Sequence, residues 1–294
     1  MALRLGGKVP NSGPLPLEVG IPTLARALED AGFDSLWVSD HVVMPREVRS
    51  RYPFSPDGRP TWPAETPYVD AIVALALMAA ATERPALGTA VLVLPLRQPV
   101  VAAKQLASID IASGGRLCLG VGSGWLREEF EALNVPFQSR GSRFEEWIEL
   151  LRRCWTGRPE PFQGVHYTLP PGVLALPAPG RAIPILIGGH GERSLRRAGA
   201  LGDGWLAHQS LDGLDPEEIA RARRRMAEAA HASGRDAEAL RVVLRVIDAA
   251  GRSGELASRL PELIRAGVDE IVVDVDWNAG DPRAELERLR EAGG

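Results

Sequence analysis

The feature that most constrains this chain is an alternation of short β-type runs and longer helical patterns, repeated eight times. Apolar, β-branched runs bounded by glycine, proline or polar residues indicate strands. The predicted strands are Leu3–Val9, Asp34–Ser39, Ala86–Leu94, Arg116–Gly122, Ile183–Ile187, Gly204–His208, Leu240–Ile247 and Val268–Val275. Eight strand–helix pairs in 294 residues predict one (β/α)8 (TIM) barrel domain over residues 1–294. A doubly wound parallel sheet is the alternative.

Helical patterns with 3.6-residue apolar periodicity follow the strands, and the fourth strand is followed by two. They cover Leu15–Ala31, Pro67–Glu83, Pro99–Ile111, Trp125–Leu133, Ser142–Trp155, Ser194–Leu201, Pro216–Ser233, Gly254–Ala266 and Pro282–Ala292. A stretch rich in proline and glycine, residues 157–180, predicts an inserted hairpin or long loop. We expect two irregular segments, Val42–Pro67 and Pro159–Pro179, to shape a pocket.

Composition excludes several classes of function. The formal net charge is -4, with the two signs mixed along the chain, so a basic nucleic-acid-binding face is not expected. The longest apolar stretch, Ala71–Ala81, is too short to span a membrane, and the N-terminus has no apolar signal core. Cys118 and Cys154 lie far apart in the sequence, each among apolar residues. This pattern indicates two buried thiols of a protein in a reducing compartment. We therefore expect a cytoplasmic protein.

In a TIM barrel the chemistry belongs to loops at the carboxyl ends of the strands. Asp40 and His41 close the second predicted strand, and a histidine there can exchange protons with a substrate near neutral pH. The structural alternative is that Asp40 caps the loop and His41 binds buried backbone groups.

Three glycine-containing segments fall at or near strand ends. Gly88–Val91 in the third strand indicates either a bulge against a ligand or plain core. The loop Gly120–Gly124 carries no dinucleotide fingerprint but lets backbone approach a flat or phosphorylated ligand, and Ser123 offers a hydroxyl. Gly188–Gly191 precedes a helix, so its N–H groups favour a phosphate; a simple tight turn is the alternative.

Metal binding has little support in the sequence. The five histidines are scattered, and none forms a ligand pair at a strand end. Asp274 and Asp276 end the eighth strand and are able to ligate a hard cation, but a strand-end cap and a solvated side chain are the favoured interpretation. We expect no metal site.

Several of these segments resemble the luciferase-like monooxygenase superfamily, in particular its coenzyme F420-dependent oxidoreductases. The matching runs occur in family order over roughly residues 3 to 210: KVPNSGPLP, AGFDSLWVSDHVVMP, LGTAVLVLPLRQP, AAKQLASIDIASGGRLCLGVGSGW, PILIGGHG and RRAGALGDGW. The resemblance implies a TIM barrel that holds a flavin or deazaflavin ring against the third strand. It also implies a cis peptide bond under the ring, which falls at Ala90–Val91 here.

The resemblance also implies roles for individual residues. His41 aligns with the proton-transfer residue of related sugar-phosphate dehydrogenases. Asp40 aligns with a residue that contacts the ring, and we expect it to assist catalysis by orienting the ring or the His41 imidazole. Those enzymes have a glutamate after the glycine loop, where this chain has Trp125; this departure argues against a sugar-phosphate substrate and suggests an apolar wall. The implied cofactor-binding residues are Asp40, Ala90, Val91, Val93, Ser123, Gly124, Glu128, Gly188, Gly189, His190 and Gly191. The implied substrate-pocket residues are Trp62, Trp125 and His208.

We therefore predict an F420-dependent oxidoreductase that transfers a hydride between reduced deazaflavin and a small organic substrate. One alternative is an FMN-dependent monooxygenase that uses O2 and reduced FMN from a partner reductase, in which His208 matters more than His41. Others are a non-catalytic carrier and a metal-dependent hydrolase. The apolar helix Pro67–Glu83 is compatible with a homodimer or with burial inside one chain.

Overall fold

The computed structural model describes residues 3–55 and 57–293, and eight parallel strands in it form a closed barrel. The strands of the chain are β1 (Arg4–Lys8), β2 (Ser35–Val38), β3 (Ala86–Val93), β4 (Leu117–Gly122), β5 (Phe162–Gln163), β6 (Thr168–Leu169), β7 (Ile185–Gly188), β8 (Gly204–Ser210), β9 (Arg241–Ile247) and β10 (Glu270–Val273). Around the barrel the order is β1-β10-β9-β8-β7-β4-β3-β2. The TIM-barrel prediction is confirmed, and the doubly wound alternative is wrong because the sheet closes.

Helices connect the strands on the outside of the barrel. They are α1 (Ile21–Ala31), α2 (Ala71–Ala81), α3 (Pro99–Ala112), α4 (Arg127–Ala132), α5 (Arg140–Trp155), α6 (Glu192–Ala200), α7 (Pro216–Ala232), α8 (Ser253–Arg265) and α9 (Arg283–Gly293). Helix α2 begins four residues later than predicted because Asp70 is its N-cap and accepts hydrogen bonds from Ile72 and Val73 N–H. The predicted insertion is confirmed as an antiparallel hairpin, β5–β6.

The lower part of the barrel is filled by side chains. A cluster of buried residues occupies its interior: Trp37, Ala90, Cys118, Leu186, Leu206, Val243 and Val272. Below it, the Ser35 hydroxyl donates to Glu270, and Trp37 Nε1 donates to Ser35 Oγ at 2.7 Å. This plug leaves space only at the carboxyl ends of the strands, which is where TIM barrels bind ligands.

Helix α2 is buried along one side only. Ala74, Leu75 and Met78 are fully buried, whereas Val73 and Leu77 on the opposite side are 53% and 38% exposed. The exposed side is compatible with a homodimer, which stays a prediction. Within the described residues, no helix is long and apolar enough to cross a bilayer.

Candidate active site

A cavity of about 490 Å³ opens at the carboxyl ends of the barrel strands. This volume is in the range of pockets that hold small molecules and cofactors. The predicted site residues that line it are Asp40, His41, Trp62, Ala90, Val91, Val93, Ser123, Gly124, Trp125, Gly188, Gly189 and His208. Three other predicted residues, Glu128, His190 and Gly191, lie outside this lining.

His41 follows β2 and is held by a glutamate that the sequence analysis missed. Its Nδ1 lies 3.2 Å from Glu129 Oε2, and both side chains are at least nine-tenths buried. The other oxygen of Glu129 accepts hydrogen bonds from Val42 and Val43 N–H. Because a carboxylate only accepts, Nδ1 carries the hydrogen of this bond, and Nε2 is the nitrogen left for a ligand.

Glu128 performs a different task from the cofactor binding that the resemblance implied. Its Oε1 accepts hydrogen bonds from Arg49 and Ser50 N–H, and its Oε2 accepts one from the Ser50 hydroxyl at 2.7 Å. Both oxygens therefore anchor the Val42–Pro67 loop. Neighbouring residues of a helix point about 100° apart, so only Glu129 faces the cavity from the first turn of α4. Glu128 is therefore removed from the candidate site.

Asp40 is engaged by an arginine instead of by the His41 imidazole. Arg97 binds both carboxylate oxygens, at 2.6 and 2.7 Å, and Val93 N–H donates to Oδ2 at 2.9 Å. Burial raises the pKa of Asp40, while Arg97 and the Val93 N–H act in the opposite direction by binding the ionised form. Arg97 also bonds Asp70, the cap of α2. Asp40 therefore fixes the ends of β2 and β3 and does not orient His41.

Strand β3 forms an irregular, narrow wall of the cavity. Its pairing with β4 shifts register between Thr89 and Leu92, and the Ala90–Val91 peptide bond is cis, as the resemblance implied. Glycines flank the Val91 side chain on the two next strands: a Cβ on Gly122 would lie 2.7 Å from Val91 Cγ2, and one on Gly188 would lie 2.8 Å from Cγ1. Only glycine therefore fits at these positions without displacing Val91.

The loop Val42–Pro67 covers the mouth of the cavity with aromatic side chains. Tyr52 makes edge contacts with Trp62 and Trp125, both with ring centroids 5.1 Å apart. Phe54 stacks on His208 at 4.0 Å. The other segment expected to shape the pocket, Pro159–Pro179, contributes nothing to the lining. That expectation is wrong because the hairpin packs on α5, where Glu146 accepts hydrogen bonds from Val165, His166 and Tyr167 N–H.

His208 and His190 lie near each other but have different environments. His190 Nε2 accepts from the backbone N–H of His208, and its Nδ1 lies 2.9 Å from Glu218 Oε1, so the ring has no nitrogen left for a phosphate. Burial lowers the pKa of His208 well below its ordinary value, and the nearby positive charge of Arg245 adds to this effect. Its Nε2 is buried and has no hydrogen-bond partner within the described chain.

Charged residues that the sequence analysis did not single out line the opposite side of the cavity. Arg245 on β9 donates to Ala90 O at 3.3 Å and to Asp274 Oδ1 at 3.2 Å. Lys8, at the end of β1, is buried and donates to Val9 O and Asn11 Oδ1. Burial, with a contribution from Arg245, lowers the pKa of Lys8 to about 7. Lys8 begins the matching run KVPNSGPLP, to which the sequence analysis gave no site role, and β9, which carries Arg245, has no recognisable motif.

Comparisons with known proteins agree with this arrangement. A family profile described as luciferase-like monooxygenase matches residues 20–292. An uncharacterized protein of Mycobacterium tuberculosis is 40% identical over 198 residues, 67% of each chain. An F420-dependent glucose-6-phosphate dehydrogenase of Beutenbergia cavernae is 33% identical over 208 residues, which are 69% of this chain and 56% of the dehydrogenase.

A solved structure shares the fold. An F420-dependent secondary alcohol dehydrogenase in complex with an F420–acetone adduct superposes with a TM-score of 0.78 at 15% identity, over 98% of this chain and 99% of that one. The profile covers every barrel strand except β1. The chain therefore belongs to the luciferase-like monooxygenase family and is an oxidoreductase.

Proposed function

We propose that this oxidoreductase transfers a hydride between reduced coenzyme F420 and a small organic substrate, with His41 as the proton carrier. The observation that carries the proposal is the bond between His41 Nδ1 and Glu129, which leaves Nε2 for the cavity. The relative from Beutenbergia cavernae, named as F420-dependent, supports the choice of cofactor.

The residues present fit a flat ring with an anionic tail. Gly122 and Gly188 leave room for the Val91 side chain between them, so the wall formed by β3, β4 and β7 presents only the small side chains of Ala90 and Val91 to a planar group. Ser123, Gly124, Gly189 and Ser194 line the same cavity beside the N-terminus of α6, where hydroxyls and backbone N–H groups suit a phosphate. His190 is left out because both of its ring nitrogens are engaged.

The chemistry that reduced F420 supplies is hydride transfer to an electrophilic carbon. The protein's part is proton transfer, positioning and exclusion of water. His41 Nε2 holds the proton that the substrate receives, and Glu129 keeps the opposite nitrogen protonated and the ring in one orientation. Glu129 is a positioning residue in this account. Tyr52, Trp62 and Trp125 close the mouth around His41 and limit the access of water.

The same aromatic wall indicates the character of the substrate. Trp62, Tyr68 and Trp125 have ring centroids 5.2 to 6.0 Å from the His41 ring. These aromatic rings favour a compact apolar or aromatic group next to the proton carrier over a polyhydroxylated sugar. An unsaturated or carbonyl compound fits both this aromatic environment and the hydride chemistry.

An FMN-dependent monooxygenase supplied by a partner reductase is the second candidate. The observation that favours it is His208 Nε2, which is buried in the cavity wall with no partner in the described part of the chain. A neutral imidazole there is able to bind an oxygen-containing group. The family description, which names monooxygenases, is compatible with this candidate.

Titration of the purified protein with F420 and with FMN, each followed by cofactor fluorescence, tests the proposal. We expect F420 to bind at least about tenfold more tightly than FMN. Tighter binding of FMN would contradict the proposal and favour the monooxygenase. Failure of both cofactors to bind would contradict both candidates.

A further inference from the structure

Four neighbouring strands end in a row of polar side chains that the hydride-transfer proposal does not use. His208 on β8 pairs in register with Arg245 on β9. The next strand, β10, is followed directly by Asp274, and β1 ends at Lys8. All four side chains line the cavity. One polar group per strand therefore covers half of the barrel rim.

The charges in this row do not cancel. Lys8 and Arg245 share one nearby carboxylate, Asp274, which bonds Arg245 through a single contact of 3.2 Å. Of the other carboxylates that line the cavity, Asp248 is exposed at the mouth, Asp40 is bound by Arg97, and Glu129 is bound by His41 and backbone N–H groups. With Lys8 protonated, the row carries one excess positive charge. Uncompensated charge is costly to bury, so it marks a site that a ligand neutralises.

Arg245 also has an unused donor. Its Nε is buried and has no hydrogen-bond partner among residues 3–55 and 57–293, while its two terminal nitrogens bond Ala90 O and Asp274. A guanidinium has five N–H donors, and a buried one without an acceptor is unfavourable. Arg245 lies close enough to Tyr52 to oppose the rise of its pKa, which burial raises to about 12. The charge of Arg245 therefore acts on the aromatic wall to which Tyr52 belongs.

We propose that Arg245 and Lys8 form a subsite for a carboxylate group of the substrate. The proposal rests on the proposed function and names its substrate class, an unsaturated or aromatic monocarboxylate. The apolar part of such a molecule packs against Tyr52, Phe54 and Trp62. Its carboxylate pairs with the Arg245 guanidinium and the Lys8 ammonium in the cavity lining, and it neutralises the excess charge.

Calorimetric titration of the cofactor-free protein with cinnamate and cinnamamide tests this subsite. The two probes have nearly the same size and shape and differ in charge. At about pH 6 we expect cinnamate to bind at least about tenfold more tightly than cinnamamide. Equal affinity, tighter binding of the amide, or no detectable binding of cinnamate would overturn the proposal.

Two variants test whether Arg245 causes the preference for cinnamate over cinnamamide. Arg245→Met removes the charge and leaves an unbranched apolar side chain. We expect the affinities of this variant for the two probes to lie within about threefold of each other. Arg26→Met, on the exposed face of α1, is the matched control and retains the wild-type preference. A preference that survives in folded Arg245→Met would overturn the proposal. If the Arg245→Met variant does not fold, the comparison of cinnamate with cinnamamide in the wild-type protein still tests the proposal.

A competition experiment separates the substrate from the cofactor as the source of the anion. In the presence of saturating F420, cinnamate is expected to bind with its affinity retained within about threefold. Mutually exclusive binding would assign the cations to the cofactor and overturn the substrate subsite. Failure of F420 to bind would contradict the proposed function alone, because the preference between the probes is measured without it.

Discussion

The two halves of the barrel rim differ sharply in chemistry although they share one backbone architecture. Strands β3, β4 and β7 present the small, uncharged side chains of Ala90 and Val91, and Gly122 and Gly188 leave room for Val91 between them. Within the described residues, no long side chain rises from this flat half. Strands β9 and β1 place the charged side chains of Arg245 and Lys8 in the cavity lining. The contrast teaches that the flat half suits a planar cofactor, while the charged half suits recognition of a polar substrate group. His41, at the end of β2, lies beside the flat half.

Replacing His41 with Ala is expected to have the largest effect on turnover. Loss of a general acid or base costs 10²–10⁴-fold, and we expect a fall in kcat of about a thousandfold. The dissociation constant of F420 is expected to change by less than about threefold, because His41 serves the substrate in this account. Steady-state kinetics and fluorescence titration measure the two quantities. An equal loss of kcat and of F420 affinity would show that His41 helps to bind the cofactor.

Replacing Lys8 with Met probes the charged half through stability. Below pH 7 the buried ammonium destabilises the wild-type fold. Between about pH 7 and the ordinary lysine value of 10.5 the folded state releases a proton that the unfolded state retains, so wild-type stability rises with pH relative to the variant. The difference in unfolding free energy between wild type and variant is expected to change by roughly 2 kcal/mol in favour of wild type from about pH 7 to 9. Urea denaturation measures it, and a pH-independent difference would contradict the account.

Replacing Glu129 with Gln tests whether the carboxylate positions His41. The amide keeps the size of the side chain but removes its charge and one acceptor, so we expect kcat to fall about tenfold with KM little changed. Glu128→Gln, one residue away, is the matched control, because Glu128 anchors Ser50 outside the cavity. Its kcat is expected to stay near wild type. The reverse order of the two effects would assign the functional role to Glu128.

Replacing Gly188 with Ala is expected to have the smallest effect and to act on the flat half alone. The new methyl group would press on Val91 Cγ1 and push it toward the cavity, which we expect to weaken F420 binding about fivefold. Gly191→Ala is the control, since a Cβ there meets nothing within 4 Å. Fluorescence titration compares the two variants. Unchanged affinity in folded Gly188→Ala would place the cofactor elsewhere.

The sequence was sufficient to predict the fold because each strand and helix has a strong local signal. The β-branched run at Ala86–Val93 and the capped start of α7 at Pro216 are readable one element at a time. Boundaries shifted where a single side chain decides them, as at Asp70. The hairpin was predicted from its prolines and glycines, but its packing on α5 depends on Glu146, which is distant in sequence.

The site was predictable only where it carries a motif. Asp40, His41 and the glycine loops have motifs that indicate a role. Glu129 and Arg245 lie outside the matching runs, and Lys8 and Arg97 lie inside them without a signal for what they do. Their importance comes from closure of the barrel, which brings residues far apart in sequence to one cavity. The choice between Glu128 and Glu129 depends on the helix phase, which a short helical pattern does not fix. One clue was available: two glutamates begin a helix that follows a strand end.

A crystal structure of the protein with F420 tests the difference between the two halves of the rim most directly. The account predicts a deazaflavin ring packed on Ala90–Val91 between Gly122 and Gly188, with the Arg245 guanidinium left uncovered by the ring. A ring bound over Lys8 and Arg245, with the flat wall uncovered, would contradict it.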